Sequence, residues 1–222
     1  MASQLKRAGL QRVNISLDSL KADTYCQLTR RGKLQRSLEG LDAALHYGFA
    51  PVKINTIALK GINNNELVDI ARFGLERGCQ VRFLELMPIG PAAECFDDWF
   101  VSSTEVLDAL AESFDLQPAP VQPGSSSRNY LAKDRQDRTG IIGLISSRTA
   151  AFCRKCRRLR LTATGKLVGC LARPEGSHIR AFLQSDHDSD SPQLLEAICS
   201  TLSLKQKPRR FSRTTLMVET GG

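Results

Sequence analysis

Aromatic residues are scarce, at 6% of the 222 residues with a single tryptophan. No basic block is interleaved with them, so the chain lacks the stacking surface of a nucleic-acid binder, and no nucleic-acid partner is expected. No uninterrupted apolar run approaches membrane length, which excludes a spanning helix. The opening Met1-Ala-Ser-Gln-Leu-Lys-Arg has no apolar core and does not read as a signal peptide. The seven cysteines are an odd count without an export signal, and this argues against a disulfide framework. They are expected to be ligands or core residues in a reducing compartment: cytoplasm, or mitochondrial matrix in a eukaryote. Internal repeats are absent as well, which excludes a solenoid. What remains is 41% hydrophobic and 24% charged, the composition of a globular chain. The formal net charge of +8 favours an anionic partner, such as a phosphate-bearing small molecule.

The first hundred residues alternate strand and helix patterns. Gln11–Leu17 alternates Val13 and Ile15 with Asn14 and Ser16, as a strand does. Leu34, Leu38, Leu41, Ala44 and Leu45 recur at helical spacing, and Gly48 closes that helix. Pro51–Leu59 predicts a second strand, Glu66–Arg77 a helix closed by Gly78, and Val81–Met87 a third strand ended by Pro88. Strand, helix, strand, helix, strand argues for a parallel α/β sheet or barrel. Ser16, Lys53, Asn55, Arg82, Glu85 and Met87 fall in or near the ends of these strands, where such folds gather their chemistry. Thr104–Phe114 predicts a helix capped by Ser102 or Ser103, and 117–138, rich in Pro, Ser, Gly and charge, predicts a loop or linker. Gly140–Ile145 predicts a short buried strand, and Ile179–Leu183 and Leu194–Leu202 predict helices.

The densest pattern is Phe152–Leu171, in which Cys153, Cys156 and Cys170 form C-x2-C-x13-C. Between the second and third cysteines lies a hairpin pattern: alternating Arg158–Thr162, a turn at Thr164-Gly165-Lys166, and a return strand from Leu167. An antiparallel return brings Cys170 back beside Cys156, so three thiolates can converge. Arg158 and Arg160 share one strand face, a ready clamp for phosphate or a nucleobase edge. Spacing alone leaves two centres open. One is structural zinc, with His178 or Cys199 as fourth ligand. The other is an iron–sulfur cluster with one iron left open to a substrate. Cys26, Cys79, Cys95 and Cys199 stand singly and read as ordinary thiols.

This cysteine run resembles the C-terminal cluster motif of the GTP 3',8-cyclases, radical-SAM enzymes of molybdenum cofactor (molybdopterin) biosynthesis. Asn14-Ile-Ser-Leu-Asp18, Lys53-Ile-Asn55-Thr, Leu59-Lys-Gly-Ile-Asn63 and Arg82-Phe-Leu-Glu-Leu-Met87-Pro also read like that family, in its order. The resemblance implies an α/β fold: a partial (β/α) radical-SAM TIM-type barrel lacking its first units over 1–100. A small C-terminal α+β iron–sulfur and GTP-binding region is implied over 101–222. It implies S-adenosylmethionine (SAM) at Ser16 and the backbone of Met87. It implies GTP at Lys53, Arg158, Leu159 and Arg160, with Arg82 a further candidate for the same charge. A [4Fe-4S] cluster would sit on Cys153, Cys156 and Cys170, and the terminal Gly221 and Gly222 would reach the active site. The activity implied is conversion of GTP, with SAM, to (8S)-3',8-cyclo-7,8-dihydroguanosine 5'-triphosphate. A homodimer and hand-over to the next enzyme of the pathway are the implied partners.

Two departures stand beside the resemblance. Arg157 follows the second cysteine where the family usually has Asn. The 222 residues also contain no C-x3-C-x2-C, the motif that binds the family's SAM-cleaving cluster; after Cys26 the next cysteine is Cys79. The expectation is therefore a fragment, isoform or damaged product of a GTP 3',8-cyclase, without catalysis of its own. The alternative is a non-catalytic iron–sulfur or zinc module that binds a nucleotide or a partner.

Overall fold

The computed structural model describes residues 1–120, 124–153, 156, 158–171, 173–184 and 191–205. It divides into two compact units, Met1–Leu86 with Asp98–Ala151, and Met87–Asp97 with Phe152–Gly222.

The first unit is built on six strands: β1 (Val13–Ser16), β2 (Val52–Ala58), β3 (Gln80–Glu85), β4 (Phe114–Pro118), β5 (Arg128–Asp134) and β6 (Thr139–Ile145). Their order in the sheet is β1-β2-β3-β6-β5-β4. The first four in that order run parallel, and β5 and β4 complete the sheet antiparallel. Parallel neighbours need crossovers. Helices α1 (Ala2–Arg7), α2 (Ala22–Thr29), α3 (Leu34–His46) and α4 (Leu67–Glu76) lie in the first part of the chain; α2 and α3 connect β1 to β2, and α4 connects β2 to β3. The short α5 (Phe96–Trp99) precedes α6 (Ser103–Ala111), which leads into β4.

Burial alternates along the parallel strands. In β2, Val52, Ile54, Thr56 and Ala58 are buried, whereas Lys53, Asn55 and Ile57 are half-buried. Strands covered by helices on both faces read as continuous apolar runs; alternation means that one face carries the core. That core has two parts. Leu67, Ile70, Ala71 and Leu75 of α4 and Val106 and Leu110 of α6 pack on Val81, Phe83, Ile142 and Leu144. Leu41 and Ala44 of α3, with Tyr25 of α2, pack on Val52 and Ile54. At Gly74 helix α4 comes so close to the sheet that a Cβ there would lie 2.1 Å from Val81 Cγ2. The helix termini follow the sequence: Gly48 and Gly78 take φ of +69° and +68° just past α3 and α4. Ser102 caps α6 in a reciprocal capping box with Glu105.

Several expectations are corrected. Phe114 does not end a helix; it opens β4 and is buried. The stretch 117–138 is not a linker, because it contains the end of β4 and all of β5. Its turn-forming residues gather at 124–127, and β5 is an amphipathic strand whose apolar content is small because one side meets solvent. Helices α1 and α2 were not expected: α1 buries none of its residues and α2 only Tyr25, so neither writes a strong apolar stripe.

The second unit contains an antiparallel sheet β7-β8-β9, formed by Arg160–Leu161, Lys166–Cys170 and Arg173–His178. Helices α7 (Arg180–Gln184) and α8 (Pro192–Lys205) follow, and α8 packs on β8 and β9. A 3-10 turn, Gly90–Ala93, belongs to the same unit. Among the described residues no helix is long and apolar enough to cross a membrane.

Candidate functional site

Polar residues collect on the face of the six-stranded sheet opposite the helical core. The registers set Ser16, Asn55, Arg82, Gly143 and Asn129 side by side across five strands. The next row carries Asn14, Lys53 and Gln80. In-register neighbours share a face, so these side chains form one surface. Arg82 crosses it: Nε donates to Asn55 Oδ1 at 2.9 Å and Nη2 to Asn14 Oδ1 at 2.8 Å. Two neutral amides thus fix the guanidinium over the parallel strands. Burial, and then the positive charges of Arg82 and Arg12, hold the Lys53 pKa below the usual lysine value. A lysine depressed by neighbouring positive charges lies in a site that gains from an anion.

The C-terminal ends of the strands are locked by polar side chains. Ser16 Oγ at the end of β1 donates to Asp18 Oδ2 at 3.3 Å, and Asp18 Oδ1 accepts from Ile57 N at 2.8 Å. Burial raises the Asp18 pKa against those two hydrogen bonds. The fully buried Asn63 donates to the carbonyls of Asp18 and Ile57 at 2.6 and 2.8 Å and accepts from Leu59 N at 2.7 Å. Ser19 donates to Glu66, which also accepts from Leu20 N at 2.9 Å. At the end of β3 the Glu85 carboxylate is a hub. It accepts from Ser103 N and Oγ at 2.9 and 2.8 Å, from the backbone of Arg148 and Thr149 at 2.7 and 3.1 Å, and from the Thr149 hydroxyl. Burial pushes the Glu85 carboxyl up, but these donors together outweigh it and leave the pKa below the usual value. Glu85 therefore ties β3, α6 and the segment after β6 together, and its role is architectural.

In the second unit Cys156 N donates to Cys153 O at 3.2 Å, closing the C-x2-C turn. The hairpin pairs Arg160 with Val168 and Leu161 with Leu167, and Gly165 sits in its turn at φ +82°. Arg158 lies 5.9 Å from the Phe152 ring centroid. Arg158 and Leu159 are exposed and Arg160 half-buried. Three cysteine thiols are a donor set whose chemistry suits a thiolate centre. Among the described residues, however, no three Cys, His, Asp or Glu side chains are gathered as a metal set.

The structure thus brings Lys53 and Arg82 onto one face, with Ser16 at its edge. Met87 follows β3 and belongs to the second unit, where its carbonyl accepts from Ile89 N at 2.8 Å. Arg158, Leu159, Arg160 and the three cysteines belong to the second unit, before and within its hairpin. Arg157, Gly221 and Gly222 lie outside the described residues. Sequence reasoning did not identify Asn14, Ser127, Asn129 or Gly143 as parts of a site. Asn14 alternated as a strand residue should, and the other three lay in or beyond a stretch read as linker.

Two family models match the chain: Molybdenum Cofactor Synthesis C over residues 79–212, and Radical SAM superfamily over residues 1–74. Among curated relatives, the GTP 3',8-cyclase of Geobacter sulfurreducens is 39% identical over 225 residues, covering 99% of this chain and 65% of its own. That of Saccharophagus degradans is 36% identical over 213 residues, covering 96% and 63%. That of Petrotoga mobilis is 42% identical over 171 residues, covering 77% and 52%. The chain spans less than two thirds of the length of each of these relatives.

Proposed function

The chain belongs to the Molybdenum Cofactor Synthesis C family, and on that premise and its likeness to GTP 3',8-cyclases we propose that its polar sheet face receives the triphosphate of GTP. The observation that carries this is the pairing of Lys53 with an Arg82 guanidinium fixed by Asn14 and Asn55. Lys53 and Arg82 would neutralise phosphoryl oxygens, each charge-assisted contact contributing about 1.5–3 kcal/mol. Strands β1 to β3 are in this reading part of a radical-SAM (β/α) barrel, residues 1–100, and 101–222 supply the iron–sulfur and GTP-binding region. Ser16 and the Met87 backbone would meet SAM. Arg158, Leu159 and Arg160, with Gly221 and Gly222, would meet the nucleotide. Cys153, Cys156 and Cys170 would hold a [4Fe-4S] cluster, which with three protein ligands offers one open iron to a purine nitrogen or oxygen. The reaction served is cyclisation of GTP with SAM, in the cytoplasm or a mitochondrial matrix; a homodimer and hand-over to the next pathway enzyme complete the proposal.

The test separates binding from turnover. The 222-residue chain, reconstituted anaerobically, should bind about four iron and four sulfide, as expected for one such cluster. By calorimetry it should then bind GTP more tightly than ATP, and Arg158→Ala should weaken GTP binding about tenfold, or about 1.4 kcal/mol. With no C-x3-C-x2-C in these residues, the chain alone should form no 5'-deoxyadenosine from SAM under reducing conditions. Stoichiometric zinc, or no GTP binding, would overturn the reading.

A further inference from the structure

The structure assigns a third anion-binding group to the same face: we propose that the side-chain amide of Asn129 donates to a phosphoryl oxygen of the chain that Lys53 and Arg82 receive. This rests on the phosphate reading of that face and extends it to β5, a strand outside the motifs that suggested it. Asn129 is opposite Gly143 on β6, and Gly143 is opposite Arg82 on β3. A Cβ placed on Gly143 would lie 2.3 Å from Ser127 Oγ, 2.8 Å from Asn129 Oδ1 and 3.1 Å from Arg82 Cγ. The glycine therefore leaves a notch into which the arginine stem leans from one side and the asparagine from the other. Any larger residue there would push the two apart.

The orientation of the amide is set locally. Ser127 Oγ donates to Asn129 Oδ1 at 2.7 Å. Ser127 is itself held by Ser125, whose Oγ accepts from Ser127 N and donates to Ser127 O, both at 3.1 Å. With its oxygen engaged, Asn129 presents its NH2 group, which can only donate. That donor complements a phosphoryl oxygen, an acceptor without protons. A carboxylate at the same position would repel the ligand, whereas the asparagine adds a hydrogen bond without adding a charge to a cluster that already depresses Lys53.

The probe is inorganic tripolyphosphate, which carries the anion without base or ribose, titrated calorimetrically into the full 222-residue chain at fixed low salt. Asn129→Ala should weaken binding about fivefold to tenfold, the loss of one charge-assisted hydrogen bond. Asn129→Asp should weaken it further through repulsion, and Ser127→Ala less than either, because the amide is only released from its orientation. Thermal midpoints identify any variant that fails to fold, and Asn129→Ser then replaces it. Asn129 variants that bind within twofold of the unaltered chain, while Lys53→Ala binds at least tenfold more weakly, would overturn this inference and leave the phosphate site standing. An unaltered chain that binds no tripolyphosphate would overturn the phosphate reading and this inference with it.

Discussion

Glu85 shows how far one side chain can organise this fold. Its carboxylate is buried and accepts from two backbone segments and two hydroxyls, joining the end of β3 to α6 and to the segment after β6. Removing it would strand several buried donors, at a cost of about 3 kcal/mol. Glu85→Ala should lower the urea midpoint accordingly. Glu85→Gln keeps the shape but replaces one acceptor oxygen with a donor, and should lose less. The folded pKa lies below the ordinary value, so ionised Glu85 contributes stability above the unfolded pKa of about 4.3. That contribution is lost as pH falls through the folded value. Urea unfolding below about pH 4.3 should show a smaller acid slope in Glu85→Gln than in the unaltered chain; equal slopes would remove Glu85 from the account. Arg82 and Lys53 are the contrasting case. Two asparagines on strands β1 and β2 hold the Arg82 guanidinium on the same sheet face as Lys53.

At the scale of elements, the polar face depends on how closely the helices cover the other one. Helix α4 presses on β3 at Gly74, where the nearest Val81 methyl leaves no room for a Cβ. Gly74→Ala would favour the helix by about 1 kcal/mol in isolation. Within this contact the clash wins, because α4 or β3 must move, and overpacking costs about 1–3 kcal/mol. Thermal melting should show net destabilisation; a raised midpoint would mean that α4 sits less tightly. Strands β1 to β3 and the glycines that close α3 and α4 were legible because alternation and helix ends are local signals. Strand β5 was not. Its partners are β4 and β6, its apolar content is slight, and the Pro-Gly-Ser run before it outweighs it in a local reading. Asn129 was lost with it.

At the scale of the whole molecule, β1 lies at the edge of the sheet, paired with β2 alone among the described residues. An open parallel edge exposes backbone donors and acceptors that invite another strand. The 222-residue chain should therefore associate in solution, with apparent mass rising with concentration in sedimentation measurements; a cooperatively unfolding monomer would show that the edge is tolerated. The sequence by itself determined the alternation of strand and helix, the C-x2-C-x13-C hairpin and the family, since each is written in short-range periodicity or in a contiguous motif. The tertiary structure alone decided that Asn14, Asn55, Arg82, Gly143 and Asn129 meet on one face. Strand order and register bring together residues from five strands. That pairing is set by burial of the opposite face against α3, α4 and α6, a sum over many distant contacts that no local window of sequence contains.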